Sequence, residues 1–394
     1  MKYDFETLLS RKNQGSYKWE QMYGWNPNVK EDVVPLSVAD MEIKTAPEII
    51  EGLKNFLDNA ILGYTGPYAS FTQAVKTWCE THYGYTFEKE WLINTPGVVN
   101  AFYGAVNAFT EEEDSVIIFR PVYYPFSMAI EENKRNLVNC PLVEKDGYYS
   151  IDFEKFEELS KDPKAKLLIF CNPHNPVGRV WTKEELTKVA EICIKNNIII
   201  VSDEIHCDLI MPGNEFTSMM TIKNGIEDRL ITCFAPSKTF NLAGLATSNI
   251  VVPNKELREK YFKTLSVMKN TQVNILGYKA CEIAYNQCDG WLKELLQVLD
   301  NNQRIVKNFF EENFPKIKAP LIEGTYLMWV NFKALGLSNE ELEKFMHMEA
   351  EFFTDEGYIF GDEGSGYERI NLAAPTYIIE KALERLGHAL KKIY

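Results

Sequence analysis

The chain is short of positive charge: 42 Lys and Arg against 56 Asp and Glu leave a formal net charge of −14 over 394 residues. A phosphate backbone is bound by clustered cations, so this deficit excludes nucleic acid as the main partner. Long apolar runs are also missing. None approaches the roughly 18 residues that a spanning helix requires, and the opening MKYDFETLLSRKNQGSYKW has no signal-peptide core. These absences point to a soluble, cytoplasmic chain with no membrane partner. The eight cysteines form no C-x-x-C pair and lie mostly in apolar segments, as expected for buried, reduced thiols rather than a disulfide framework. Only five histidines occur, without an H-x-x-x-H or Cys/His cluster, so no metal site is expected.

What is present is the composition of a globular protein, 45% hydrophobic and 25% charged, in a length that suits one large domain and a smaller one. Short β-branched apolar runs at 115–119, 167–171, 198–202, 230–234 and 248–252 read as buried strands. Between the second and third, TKEELTKVAEICIKNN starts with a capping box, Thr182 and Glu185, and sets Leu186, Val189, Ile192 and Cys193 on one helical face. That is a βαβ unit, whose strands must run parallel. Beyond about residue 285 the pattern changes to a long charged helix over 291–314, a strand in TYLMWVNF, a helix near 339–353 and a last one near 378–391. The expected organisation is an N-terminal segment, 1–45, packed across a domain junction, a large domain over 46–285 and a small α+β domain over 286–394.

In open α/β sheets ligands collect where the carboxyl ends of strands meet loops. Three such loops carry polar groups: C-N-P-H-N-P-V-G at 171–178, S-D-E-I-H at 202–206 and A-P-S-K-T-F-N at 235–241. Taken singly, an Asn-Pro pair makes a turn, a carboxylate after a strand caps a helix, and a lysine is a solvated charge. Together they bring an amide, a carboxylate and an amine to one sheet edge, at intervals of 28 and 35 positions. That set suits pyridoxal 5'-phosphate, whose aldehyde condenses with a lysine and whose ring nitrogen needs an anionic partner. Gly97-Val98-Val99, ahead of AFYGAVNAF, offers a glycine turn at a helix N-terminus for the phosphate, or an ordinary turn before a core helix.

At this point the sequence resembles the fold-type I pyridoxal-phosphate enzymes of the class I/II aminotransferase superfamily, with matches along nearly the whole chain. Within it the resemblance is to the MalY/PatB-type C–S lyases, the cystathionine β-lyases. It rests on V-A-D-M at 38–41, G-Y-T at 63–65, T-P-G-V-V at 95–99, P-V-Y-Y-P-F at 121–126, N-P-H-N-P-V-G, S-D-E-I-H, S-K-T-F-N-L-A-G-L at 237–245, G-T-Y-L-M-W at 324–329 and E-R-I-N-L-A at 368–373. The resemblance implies an α/β fold, with a mainly parallel sheet flanked by helices and a smaller C-terminal α+β domain. By the same match Lys238 is the Schiff-base lysine, Asp203 the partner of the pyridine nitrogen and Asn175 that of the ring hydroxyl. Tyr123 stacks on the ring, Arg369 holds the substrate carboxylate, and Tyr64 reaches the phosphate of a neighbouring subunit in a homodimer.

Some positions depart from relatives. Ala235 stands where many have a phosphate-binding hydroxyl, leaving Ser237 beside the lysine. Leu245-Ala246-Thr247 occupies the region where many aminotransferases have an arginine, and His206 replaces their tyrosine. His206 is counted with the cofactor-contacting positions, a structural hydrogen bond being its alternative. Tyr124, Tyr326 and Trp329 either line the substrate pocket or belong to the core. The implied activity is α,β-elimination from cystathionine, cystine, cysteine or a related small sulfur amino acid, giving thiol, pyruvate and ammonia. Aminotransferase chemistry is the nearest rival, and a regulatory protein that binds a partner on the same fold is a remote one.

Overall fold

The computed structural model describes residues 1–223 and 225–394. Its strands, in chain order, are β1 Leu92–Thr95, β2 Ser115–Ile118, β3 Asn136–Asn139, β4 Val143–Lys145, β5 Tyr148–Ser150, β6 Ala165–Cys171, β7 Ile199–Asp203, β8 Leu230–Phe234, β9 Ser248–Val251, β10 Leu327–Asn331, β11 Asp355–Glu356 and β12 Tyr367–Asn371. Seven of them form one sheet in the order β1-β9-β8-β7-β6-β2-β3. From β8 to β3 every pair is parallel, whereas β9 runs antiparallel to both its neighbours.

Alternate side chains of these strands point to opposite faces, and both faces are covered. Val116, Ile118, Leu167, Ile169, Val201 and Ile231 meet Ala101, Phe102 and Ala105 of the helix Val98–Phe109 on one side. Ile117, Leu168, Phe170 and Ile200 meet Leu186, Val189, Ala190 and Cys193 of the helix Lys183–Lys195 on the other. The Thr182/Glu185 capping box forms as expected. Burial on both faces explains why the central strands read as continuous apolar runs. All eight cysteines are buried and free.

The C-terminal part builds a three-stranded antiparallel sheet, β10-β12-β11, against the helices Asp289–Asn313 and Thr376–Leu390. The helix expected near 339–353 ends at Lys344; a wider π turn over Phe345–Glu349 follows, and Glu351 takes a left-handed φ of 45° that stops it. The N-terminal segment is threaded between the two sheets by long-range bonds. Leu36 N–H donates to Phe353 O at 2.7 Å, Glu42 N–H to Ala373 O at 2.8 Å, and Met41 N–H to Asn241 Oδ1 at 3.0 Å. Among the described residues no helix is long and apolar enough to cross a membrane.

Candidate active site

The parallel register sets the site. Cys171 pairs with Asp203 and Asp203 with Cys233, so the chains leaving β6, β7 and β8 do so at one level. They frame a cavity of about 220 Å³ whose walls include Gly97, Val98, Val99, Tyr123, Asn175, Asp203, His206, Ser237 and Lys238. Nine of the residues named from sequence therefore share one pocket. Ala39, Phe102, Ile205, Ala243, Ala246 and Thr247 complete much of the remaining wall.

Lys238 projects from a short helix, Pro236–Thr239, that starts directly after β8 with Pro at its first position. Its Nζ donates to the carbonyl of Ala39 at 2.7 Å. Burial, aided by the Arg369 charge, lowers the ammonium from the ordinary lysine range to about 8. Asp203 caps no helix; its Oδ1 accepts the Ile205 N–H at 3.1 Å, and burial pushes the carboxyl up to about 7. Lys238 is the cation that offsets this burial. A buried acid facing a cavity without a cationic hydrogen-bond donor is what a protonated pyridine nitrogen would satisfy.

Asn175 is oriented from behind. Arg369 Nη1 donates to its Oδ1 at 2.9 Å, and because a guanidinium only donates, the amide NH₂ must face the other way, toward the cavity. Arg369 itself lies one layer out, with Nε and Nη2 donating to Asp355 Oδ2 at 3.2 and 2.6 Å. Those bonds leave guanidinium N–H groups over for a carboxylate ligand. Tyr123 lines the pocket and is held by its backbone N–H donating to Asn175 O at 3.1 Å.

At the far end Gly97 has φ 144°, and a side chain there would meet nothing within 4 Å. The glycine thus leaves an open cradle before the first turn of the helix Val98–Phe109, whose leading N–H groups have no partner within the helix. A glycine turn ahead of unpartnered helix N–H groups is a construction that can receive a phosphate. His206 is buried and kept neutral by that burial, its Nδ1 without a hydrogen bond, and it meets the Tyr326 ring edge-on. Tyr64 stands apart, fully exposed and outside the cavity.

Of the three aromatics left open, Trp329 is core, stacked on Tyr367 and donating to Tyr149 Oη at 3.1 Å. Tyr326 is buried beside the site, its hydroxyl donating to Ala39 O at 2.7 Å, and Tyr124 is partly exposed next to Tyr123. Cys171 is a buried thiol whose ionisation desolvation opposes. Sequence reasoning missed the Ala39 carbonyl and the Asp355 partner of Arg369. The V-A-D-M motif was the only local signal for the first, and nothing local marks the second.

Residues 31–386 match the sequence model of the family described as aminotransferase class I and II. The chain belongs to this family. Among solved structures, cystalysin from Treponema denticola, whose crystal structure contains a pyridoxal 5'-phosphate cofactor, is 54% identical with a TM-score of 0.99 over the full length of both chains. The PLP-bound C–S lyase from Staphylococcus hominis is 30% identical with a TM-score of 0.91, over 99% of this chain and 98% of that one. Cystathionine beta-lyase PatB of Bacillus subtilis is 37% identical over 390 residues, 98% of this chain and all of that relative.

Proposed function

We propose that this chain is a pyridoxal-phosphate-dependent C–S β-lyase, cleaving cystathionine or a related S-substituted cysteine to thiol, pyruvate and ammonia. The observation that carries the reading is a buried lysine amine and a buried carboxylate facing one cavity closed by a glycine cradle. The lyase names of the relatives above support the reaction type. When bound, the cofactor supplies an electron sink conjugated to the amino acid's Cα.

The protein's own groups do the rest. Lys238, with its ammonium lowered to about 8, has a free-amine fraction at pH 7 a few hundredfold above that of a solvated lysine. Its Nζ would hold the cofactor's aldehyde carbon, with loss of water, and, once an incoming amino group displaces it, would accept the proton from Cα. Asp203 would be the anion that keeps the ring nitrogen protonated, and the Asn175 amide would donate to the ring hydroxyl oxygen. Gly97, Val98 and Val99 offer N–H groups to the phosphate with Ser237 beside them, and Tyr123 covers the ring face. Arg369 binds the substrate carboxylate and so fixes which Cα bond faces Lys238.

Ala246, eight positions past Lys238, is an apolar wall of the pocket where many aminotransferases place an arginine, which favours elimination. We further propose a cytoplasmic homodimer in which Tyr64 completes the partner's phosphate site. Its support is a row of exposed side chains, Ile61, Leu62 and Tyr64, on a segment without regular secondary structure that serves nothing in its own chain's pocket. The test is incubation with cystathionine alone. Pyruvate should accumulate over many turnovers with no keto acid added, whereas a single turnover that then stops means transamination.

A further inference from the structure

Outside the lining of the pocket, Glu343, His347 and Glu356 bring one carboxylate oxygen, one imidazole nitrogen and a second carboxylate oxygen within 4.8 Å of one another. Glu343 and His347 are four positions apart at the end of the helix Asn339–Lys344 and its π turn, so both project from one face. Glu356 comes from β11, across the gap. A sequence search for His-x-x-x-His or Cys/His spacing passes over a Glu-x-x-x-His pair whose third member lies on another element.

We infer that these three side chains form a binding site for a divalent transition metal ion of the zinc class. Two independent observations carry this beyond a cluster of acids. His347 is 4% and Glu356 8% exposed, yet neither side chain hydrogen-bonds another described residue; their one approach, Nε2 to Oε1, is 3.3 Å. Buried imidazole and carboxylate groups are expected to be paired or to ligate a metal.

The second observation is how firmly the ring is aimed. His347 stacks on Trp25, 4.3 Å away and 9° from parallel, and Phe353 packs beside the pair, 5.4 Å from His347 and 6.3 Å from Trp25. The stacking on Trp25 fixes the plane of the ring, whose edge faces the two glutamates. Glu343 is oriented in turn by the Tyr358 hydroxyl, which donates to its Oε2 at 3.0 Å, as outer-shell partners orient ligands in metal sites.

The donor set selects the ion. An imidazole with two carboxylates and room for water suits zinc or a similar first-row metal, whereas calcium and magnesium prefer oxygen alone. Metal–ligand bonds of about 2.0–2.1 Å need donors roughly 3.3 Å apart; His347 Nε2 and Glu356 Oε1 already stand at 3.3 Å, and the Glu343 oxygen lies within 4.8 Å of both. A surface cavity of about 290 Å³ bordered by Trp25, Glu343 and His347 gives the ion its way in. The consequence reaches the pocket: Asp355 precedes Glu356 on β11 and holds Arg369, so an ion that ties β11 to the helix also steadies that guanidinium.

The test is zinc titration of chelator-treated holoenzyme in competition with a fluorescent chelator, for the native chain and for Glu343→Gln and His347→Gln. The native chain should take up one equivalent more than either variant, or bind it at least tenfold more tightly, and its melting temperature should rise on loading. Glu343→Gln changes a half-buried side chain, so its unloaded melting temperature should match the native one and separate ligand loss from misfolding. Equal uptake and affinity in the native chain and Glu343→Gln would overturn the site. An equal response of the native chain to magnesium would overturn the choice of metal.

Discussion

Two groups in the pocket pull on each other, and their ionisation makes a pH-dependent statement about the cofactor-free protein. Asp203 is raised from the ordinary aspartate value near 3.9 to about 7 by burial, so its ionisation opposes folding. The penalty is absent below about pH 4, where the acid is protonated folded or unfolded, grows as pH rises, and is full above about 7. Its upper bound is about 4 kcal/mol. Asp203→Asn should therefore raise the melting temperature of the cofactor-free protein at pH 8, with the gain shrinking toward pH 4. In the same variant cofactor affinity should fall, because the ring nitrogen loses its anion. A melt showing no gain at pH 8 would mean the carboxyl is not destabilised by its site.

Arg369 is the second residue whose replacement is informative. Its fork reaches Asn175 and Asp355 together, which a lysine's single ammonium cannot do. Hydrogen bonds to charged groups contribute ~1.5–3 kcal/mol, so Arg369→Lys should lower kcat/KM by about 10- to 100-fold. Part of that loss should appear in kcat, since the Asn175 amide is no longer fixed; a pure KM effect would confine the arginine to substrate binding. The amide, carboxylate and amine were legible in the sequence because each follows a strand at the same sheet edge. The backing contacts, Arg369 on Asn175 and Ala39 on Lys238, were not, because they join positions about 200 apart whose local patterns say nothing of each other.

At the scale of elements, the same contrast holds for physical reasons. The strands buried on both faces announced themselves as apolar runs, while β1 and β3, the two edges of the sheet, passed unnoticed: LINT and NLVN carry no unbroken apolar run, and β3 is only partly buried. The direction of β9 was hidden as well, since a buried strand reads alike whichever way it runs. The helix ending at Lys344 was overextended because Phe345, Met346 and His347 continue an amphipathic pattern that the wider turn also satisfies. Among helices near the pocket, Ile275–Gln287 makes a sharp prediction. A side chain on Gly277 would collide with the Thr247 side chain and the Leu245 carbonyl, in the loop whose Ala246 and Thr247 wall the cavity. Gly277→Ala should cost ~1–3 kcal/mol of stability by melting and weaken cofactor binding. Gly244→Ala, on the same loop with open space around it, should leave both nearly unchanged.

For the whole molecule the exposed row of Ile61, Leu62 and Tyr64 is the feature with the largest leverage. If a second copy covers it, Ile61→Glu combined with Leu62→Glu should halve the mass seen by sedimentation velocity. The same change should weaken cofactor retention, because Tyr64 is no longer delivered. A native chain that sediments as a single copy at micromolar concentration would end the shared-site reading.

The N-terminal thread has a consequence in time. Residues 36–42 are held by Phe353, Asn371 and Ala373, and the Ala39 carbonyl that receives Lys238 is fixed only when this thread is seated. In any synthesis that runs from N to C terminus, residues 36–42 are made long before residues 353–373, so the thread cannot be seated, nor the pocket shut around Lys238, until those later positions exist.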